Sequence, residues 1–423
     1  MSVYNGNILT RIIDPIYDSI NFKTEFRLNA PDVAYLSNMR LTNMGINSSV
    51  DPNTYDSAVG AFCMESIQLY DGNVLLDQIL NASIWNTWRN INTTNDANMS
   101  IESIIKCHRL GYMAEGSATY SATDRLEQSS FQVKPYPPRT DSNKTLPDER
   151  GLALFDLKGF LPFLDTIMVL STKTFKNLRL VINWKSPQQL KDLVVDRTAD
   201  LNTLANTALV VDMVQQADAV NSLTNAYKGH TWLALENDRV FVPNVTPPVD
   251  ATADQDIKVL VNGFNNKTLH RLNVVQTPLD ETTWVDGTDT EWGSNQTSIS
   301  TWNTRYQFRV NGSNKLPRDG YTKRNQRLAQ LTESYGEINL FPTQNFTYVP
   351  IMTPQIPSVA SGQGKVDYTA VEILERVNEL QLIYKRTGIH GNAKLNQALH
   401  LNLFGQVSKS LEVSGDTYRI FYS

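Results

Sequence analysis

The sequence predicts an all-β protein with a few short helices, built from one strand-rich unit used twice. Three observations predict it. The stretch Asn206–Gln216 returns near the C-terminus as Asn396–Gln406, with Asn, Ala, Leu and Gln in matching places. Other landmarks recur in the same order: Ile67–Tyr70 runs into Asp71-Gly72 as Tyr306–Val310 runs into Asn311-Gly312, and Asn177–Trp184 is answered by Glu379–Tyr384. Composition agrees, since β-branched and aromatic residues are frequent and the 18 prolines and 21 glycines are scattered as turn punctuation. The repeat is domain-sized, far longer than the ~20–50 residues of a solenoid or propeller, so it implies two related β domains.

Residues 1–20 carry Ile8, Leu9, Ile12, Ile13 and Ile16 around Pro15, an apolar rhythm that a proline would kink. They read as an N-terminal arm docking on a neighbouring subunit, or as a lead-in packed on their own domain. Phe26–Leu28 and Val33–Leu41 read as strands about a turn at Asn29–Asp32, and Val59–Tyr70 as an extended run into a turn needing positive φ at Asp71-Gly72. Ile79, Leu80, Ile84 and Trp88 then suggest a helix, with Trp85 and Trp88 as core, and Leu328, Leu331 and Tyr335 suggest its counterpart.

Residues 113–151 are polar, contain Pro135–Arg139 and lack periodicity, as expected of a long surface loop. In the apolar stretch 152–170, Pro162 marks a break or a helix start, and Leu178, Leu180, Ile182 and Trp184 alternate as one face of a strand. Residues 217–229 form the expected linker. Beyond it, Trp232–Leu235, Val240–Val242 and Ile257–Val261 read as early strands of the second unit, and 277–304 as a second long loop. Leu399, Leu401 and Leu403, the turn Ser414–Asp416, and Tyr418, Ile420 and Tyr422 form a final hairpin ending in a core strand.

The formal net charge is −5, which argues against a broad cationic face for phosphate backbones. The basic cluster Lys315, Arg318, Lys323, Arg324 and Arg327 is interrupted by Asp319 and Glu333 and reads as a solvated face. Cys63 and Cys107 form no metal-binding or redox spacing, and Cys107 with His108 would point to opposite faces of a strand. The N-terminus shows no signal-peptide pattern, and no window has the apolar length of a membrane span. Nucleophile-elbow, zincin, P-loop and dinucleotide-binding motifs are missing, so no catalytic, cofactor or metal residue is assigned. One constellation resembles a ligand site: Trp284, Asp286, Asp289, Glu291 and Trp292, offering carboxylates for calcium or tryptophans for a sugar. It lacks EF-hand ligand order, and a solvated loop tip is the simpler reading.

Over most of its length the chain resembles the double jelly-roll major capsid proteins of the adenovirus hexon, virophage, polinton-like and nucleocytoplasmic large DNA virus lineage. The resemblance rests on Ile67–Asp77, Leu161–Trp184, Ala208–Gln216, Tyr306–Gly336 and Leu399–Tyr422. It implies two tandem eight-stranded jelly rolls at 21–216 and 230–423, a homotrimer of pseudo-hexagonal outline, and no enzymatic role. It also implies lateral contacts with neighbouring capsomers, a base resting on minor and vertex proteins or an internal membrane, and residence in the virion after assembly inside the host cell. The loops 113–150 and 277–304 would be outer towers. A minor or vertex capsid protein and a carbohydrate-active tandem sandwich are the alternatives.

Overall fold

In the computed structural model, the residues described are 8–18, 23–42, 45–47, 55–58, 64–82, 84–85, 155–185, 207–215, 220, 229–243, 253–278, 304–317, 320, 330, 333–334, 368–389, 398–414 and 417–423. The first half contains β1 (Ile8–Ile13), β2 (Tyr17–Asp18), β3 (Lys23–Leu28), β4 (Ala34–Leu36), β5 (Arg40–Thr42), β6 (Gly45–Asn47), β7 (Tyr55–Ala58), β8 (Met64–Asp71) and β9 (Val74–Leu80). It continues with β10 (Phe155–Asp156), helix α1 (Pro162–Thr166), β11 (Val169–Ser171), β12 (Leu178–Trp184) and β13 (Ala208–Val214). The second half contains β14 (His230–Val242), β15 (Ala253–Leu260), β16 (Lys267–Pro278), β17 (Thr304–Val310) and β18 (Ser313–Asn314). It ends with β19 (Tyr368–Val377), β20 (Leu380–Ile389), β21 (Leu399–Ser414) and β22 (Thr417–Tyr422).

In the first half, β13 pairs along one side with β1 and along the other with β4 and β5, the two pieces of one broken strand. Those pieces pair in turn with β11 and β10. The facing sheet runs β2-β3-β12-β8-β9. In the second half the orders are β14-β21-β16-β19 and β15-β20-β17-β18, with β22 added to β21. Numbering the eight principal strands of each half in chain order, both halves read 1-8-3-6 in one sheet and 2-7-4-5 in the other. That is the jelly-roll order, and the chain is two jelly rolls in tandem.

The duplication extends to single hydrogen bonds. The sequence repeat places Asp212 where the second half has Asn402; Thr10 lies opposite Asp212 and donates to it at 2.5 Å, while Arg239 lies opposite Asn402 and donates to it at 2.9 Å. At the β8–β9 turn the Gly72 amide donates to Asn177 O and the Asp71 carboxylate accepts from Asn177 N. At the β17–β18 turn the Asn311 amide donates to Glu379 O and the Asn311 side chain accepts from Asn378 N and Glu379 N. The turns differ in type: Gly72 alone has positive φ (58°), whereas Asn311 and Gly312 both do (49° and 83°), as a two-residue type I′ turn requires. Each turn nevertheless clasps the start of the seventh strand.

Connections divide sharply by end. At one end of each sandwich the turns are short: 29–33, 72–73 and 172–177 in the first, and 261–266, 311–312 and 378–379 in the second. The strand ends opposite are joined by the longer connections, among them 81–154, 279–303 and 315–367. The core is continuous through both sandwiches, from Phe26, Leu69, Leu180 and Val211 to Leu272, Phe308, Leu382 and Leu403.

Several expectations change. Residues 74–80 are strand β9, paired with β8 through Ile67↔Ile79, so the helix expected from Ile79 does not begin there. Helical turns occur at Ile84-Trp85, Gln330 and Glu333-Ser334; Trp88, Leu328, Leu331 and Tyr335 lie outside the described residues. Trp232–Leu235 and Val240–Val242 belong to one strand, β14. Ile8–Ile13 pairs with Leu209–Val214 of β13, which matches a lead-in packed on its own domain and not a free arm. β22 is an edge strand with much of its surface exposed, because it pairs with β21 alone, and so is not the expected core strand.

Candidate functional site at the junction of the two sandwiches

The described contacts between the two halves of the chain gather where the first sandwich meets β14, β21 and β22 of the second. Pro162 opens α1, its fixed φ suiting the first helical position. No side chain of Leu161 caps that helix; instead the Asp77 carboxylate, reaching from β9, accepts from the Phe163 amide at 2.8 Å. This fixes Phe163, whose fully buried ring meets Trp232 edge-on at 4.9 Å and Phe175 at 6.2 Å. One turn later Thr166 Oγ1 lies 3.0 Å from His230 Nε2, and burial lowers the pKa of that imidazole.

Farther from the short turns, Asn81 takes a left-handed conformation (φ 52°) at the end of β9. Its amide donates to Asn237 Oδ1 at 3.0 Å and its carbonyl oxygen accepts from Arg239 Nη2 at 3.1 Å, while Trp85 packs on Phe404 with centroids 5.3 Å apart. At the short-turn end, the Tyr418 hydroxyl donates to Asp71 Oδ2 at 2.9 Å and its ring lies 5.0 Å from that of Phe175. The order of these contacts shows that the sandwiches stand side by side and the same way up, with short turns beside short turns.

A charged cluster within the second sandwich lies beside the junction. Glu236 lies 3.1 Å from Lys409 and 3.5 Å from Lys267, and accepts from the Tyr422 hydroxyl at 2.7 Å. Burial works against its charge, but Lys409, Tyr422 and Lys267 together hold its pKa below the ordinary value. Asp77 stands apart. Fully buried, it is pushed up to about 7, chiefly by desolvation, with the Phe163 amide and Lys409 pulling the other way and Glu236 adding to the rise.

Between the ordinary value of 3.8 and about 7, the folded chain therefore holds a proton at Asp77 that the unfolded chain releases. The contribution of this group to stability is greatest at low pH and is lost as pH rises through about 7. Asp77→Asn keeps an oxygen for the Phe163 amide and cannot ionise. Its melting temperature relative to the parent is expected to rise between about pH 5 and pH 8, as followed by scanning calorimetry. A constant difference across that range would contradict a protonated Asp77.

None of these junction residues was assigned from sequence, because no motif marks them. The available signal was Asp77 itself, a carboxylate inside the apolar run Val74–Leu80. Among the residues that were singled out, Lys315 forms an ion pair with Glu375. Trp284, Asp286, Asp289, Glu291, Trp292, Cys107, His108, Arg318, Lys323, Arg324 and Arg327 lie outside the described residues. No group of three or more metal-ligating side chains occurs among the described residues. No helix among them is long and apolar enough to cross a membrane. The chemistry of the junction is that of a lock: rings meet across the contact, and Asn81 with Asn237 and Arg239, and Tyr418 with Asp71, pair across it.

No protein-family model and no curated protein matches the chain. Solved structures do. PBCV-1 VP54, fitted into a cryo-EM reconstruction of the virophage Sputnik, is 11% identical with a TM-score of 0.54, covering 100% of this chain and 99% of that one. The PBCV-1 virus capsid gives 13% identity and a TM-score of 0.50 over 100% and 99%. The faustovirus major capsid protein gives 8% and 0.50 over 98% and 92%. At these identities the likeness shows the fold: the whole chain has the tandem jelly-roll architecture of those capsid proteins.

Proposed function

We propose that this chain is the major capsid protein of a double-stranded DNA virus or virus-like element, a structural rather than catalytic protein of the virion. The observation that carries the reading is the architecture of a tile: two sandwiches of identical topology, side by side and the same way up. In both sandwiches the turns joining strands 2–3, 4–5 and 6–7 are short and lie at one end, and the connections 81–154, 279–303 and 315–367 lie at the other. Likeness to capsid proteins over the full length of the chain supports it. Three chains would supply six sandwiches, a unit with three-fold chemistry and a hexagonal outline able to tile a flat facet. The short-turn end would rest on minor proteins or a membrane, with 113–150 and 277–304 at the outer end. The net charge of −5 suits a shell that leaves genome condensation to other proteins. The two sandwiches would be joined by 217–229, the second spanning 230–423 and the first spanning 21–216 together with β1, whose outer edge would face the neighbouring subunit.

Light scattering on the purified chain is expected to give a mass three times 47.7 kDa. A monomer at every concentration tried would contradict the proposal.

A further inference from the structure

Because the sandwiches are copies, any surface that one turns towards its neighbour has a counterpart in the other. The repeat places Asp212 at Asn402 and Val214 at Phe404, and strand pairing carries the equivalence onto the edge strands. Thr10, opposite Asp212, corresponds to Arg239, opposite Asn402; Ile8, opposite Val214, corresponds to Asn237, opposite Phe404. In the second sandwich this patch is engaged by the first: Asn237 and Arg239 bond to Asn81, and Phe404 packs on Trp85. In the first sandwich the corresponding edge is exposed and more apolar, with Ile8 55% and Leu9 39% exposed.

The chain also holds a second copy of the covering surface. In the first sandwich that surface is the end of the fifth strand, β9, with the helical turn that follows it. In the second, the fifth strand is β18, and helical turns at Gln330 and Ser334, anchored on the Ala370 carbonyl, follow it. One chain thus carries an uncovered edge on its first sandwich and the counterpart of the covering surface on its second. We propose that β1, centred on Ile8, is the docking edge for the second sandwich of another copy of this chain, repeating between chains the contact that joins the sandwiches within one. Such a contact is head-to-tail, the kind that closes into a ring when repeated. This inference rests on the trimer reading above and supplies its interface.

The register also sets a boundary. Ile12 is 69% exposed and corresponds to Phe241, which remains 52% exposed although Arg239, two residues before it, bonds to Asn81 of the first sandwich. Ile12 therefore lies outside the contact. The test is the native mass of the full chain, of Ile8→Lys and of Ile12→Lys across a dilution series, with circular dichroism to check folding. Ile8→Lys places a charge in the contact and is expected to raise the concentration at which the assembly dissociates by more than about tenfold, while Ile12→Lys leaves it unchanged. A parental trimer that Ile8→Lys leaves intact, or that Ile12→Lys breaks equally, would overturn the inference and leave the trimer reading standing. A parental monomer would overturn both. If Ile8→Lys fails to fold, a photo-cross-linking residue at position 8 of the otherwise unchanged chain decides the matter. Cross-links to the second sandwich of another copy, at residues 313–314, 330 or 333–334, are expected, and cross-links confined to the first sandwich would overturn the proposal.

Discussion

Phe163→Ala is expected to lower the stability of the whole chain by about 3–5 kcal/mol, the cost of emptying a fully buried aromatic site that its surroundings cannot close over. The surroundings here are rigid. Phe163 is held from behind by the bond between its own amide and Asp77, and its ring meets Trp232 of the second sandwich and Phe175 of the first. Removing it takes away the edge-to-face contact across the junction, and the two large side chains left cannot both move into one gap without breaking their own packing. Chemical denaturation of the purified variant measures the effect. A loss below about 1 kcal/mol would show that the sandwiches are not joined through α1.

Gly405→Val is expected to be the next most damaging substitution, at about 1–3 kcal/mol or more, and for the opposite reason. Gly405 lies in the middle of β21, the strand that pairs with both β14 and β16. A side-chain carbon there would come within 2.7 Å of Phe264 Cδ1 and 2.9 Å of Leu269 Cδ1, and closer still to Phe264 Cε1. Both neighbours are fully buried, so neither can swing into solvent. The repeat makes the point independently: the corresponding position in the first half is Gln215, just past the end of β13, so the glycine answers to the longer central strand of the second sandwich. Soluble yield and the denaturation midpoint of Gly405→Val test this, and a parental midpoint would contradict it.

The duplicated plan was legible because strand faces and turns leave local marks. The matched pair Asn206–Gln216 and Asn396–Gln406 became the eighth strands, β13 and β21, and the two strand-to-turn landmarks became the fourth strands, β8 and β17. Where local marks were distorted, the reading failed. The register shift between Leu69 and Tyr70, opposite Leu75–Asp77, breaks the period-two pattern of β9 and buries both Leu76 and Asp77, so the segment imitates a helix. The polar run Glu236–Arg239 split β14 in the sequence because its side chains serve the charged cluster and the junction rather than an ordinary core face. The junction itself was illegible for a simpler reason. Tyr418 and Asp71, or Asn81 and Asn237, are neighbours only after two domains have folded and met.

Negative-stain microscopy of the purified chain tests most directly whether two copied sandwiches form a capsid tile. Class averages are expected to show a hexagonal outline with six similar lobes, two from each of three chains. Averages showing only isolated two-lobed particles, or an open chain of lobes without closure, would contradict it.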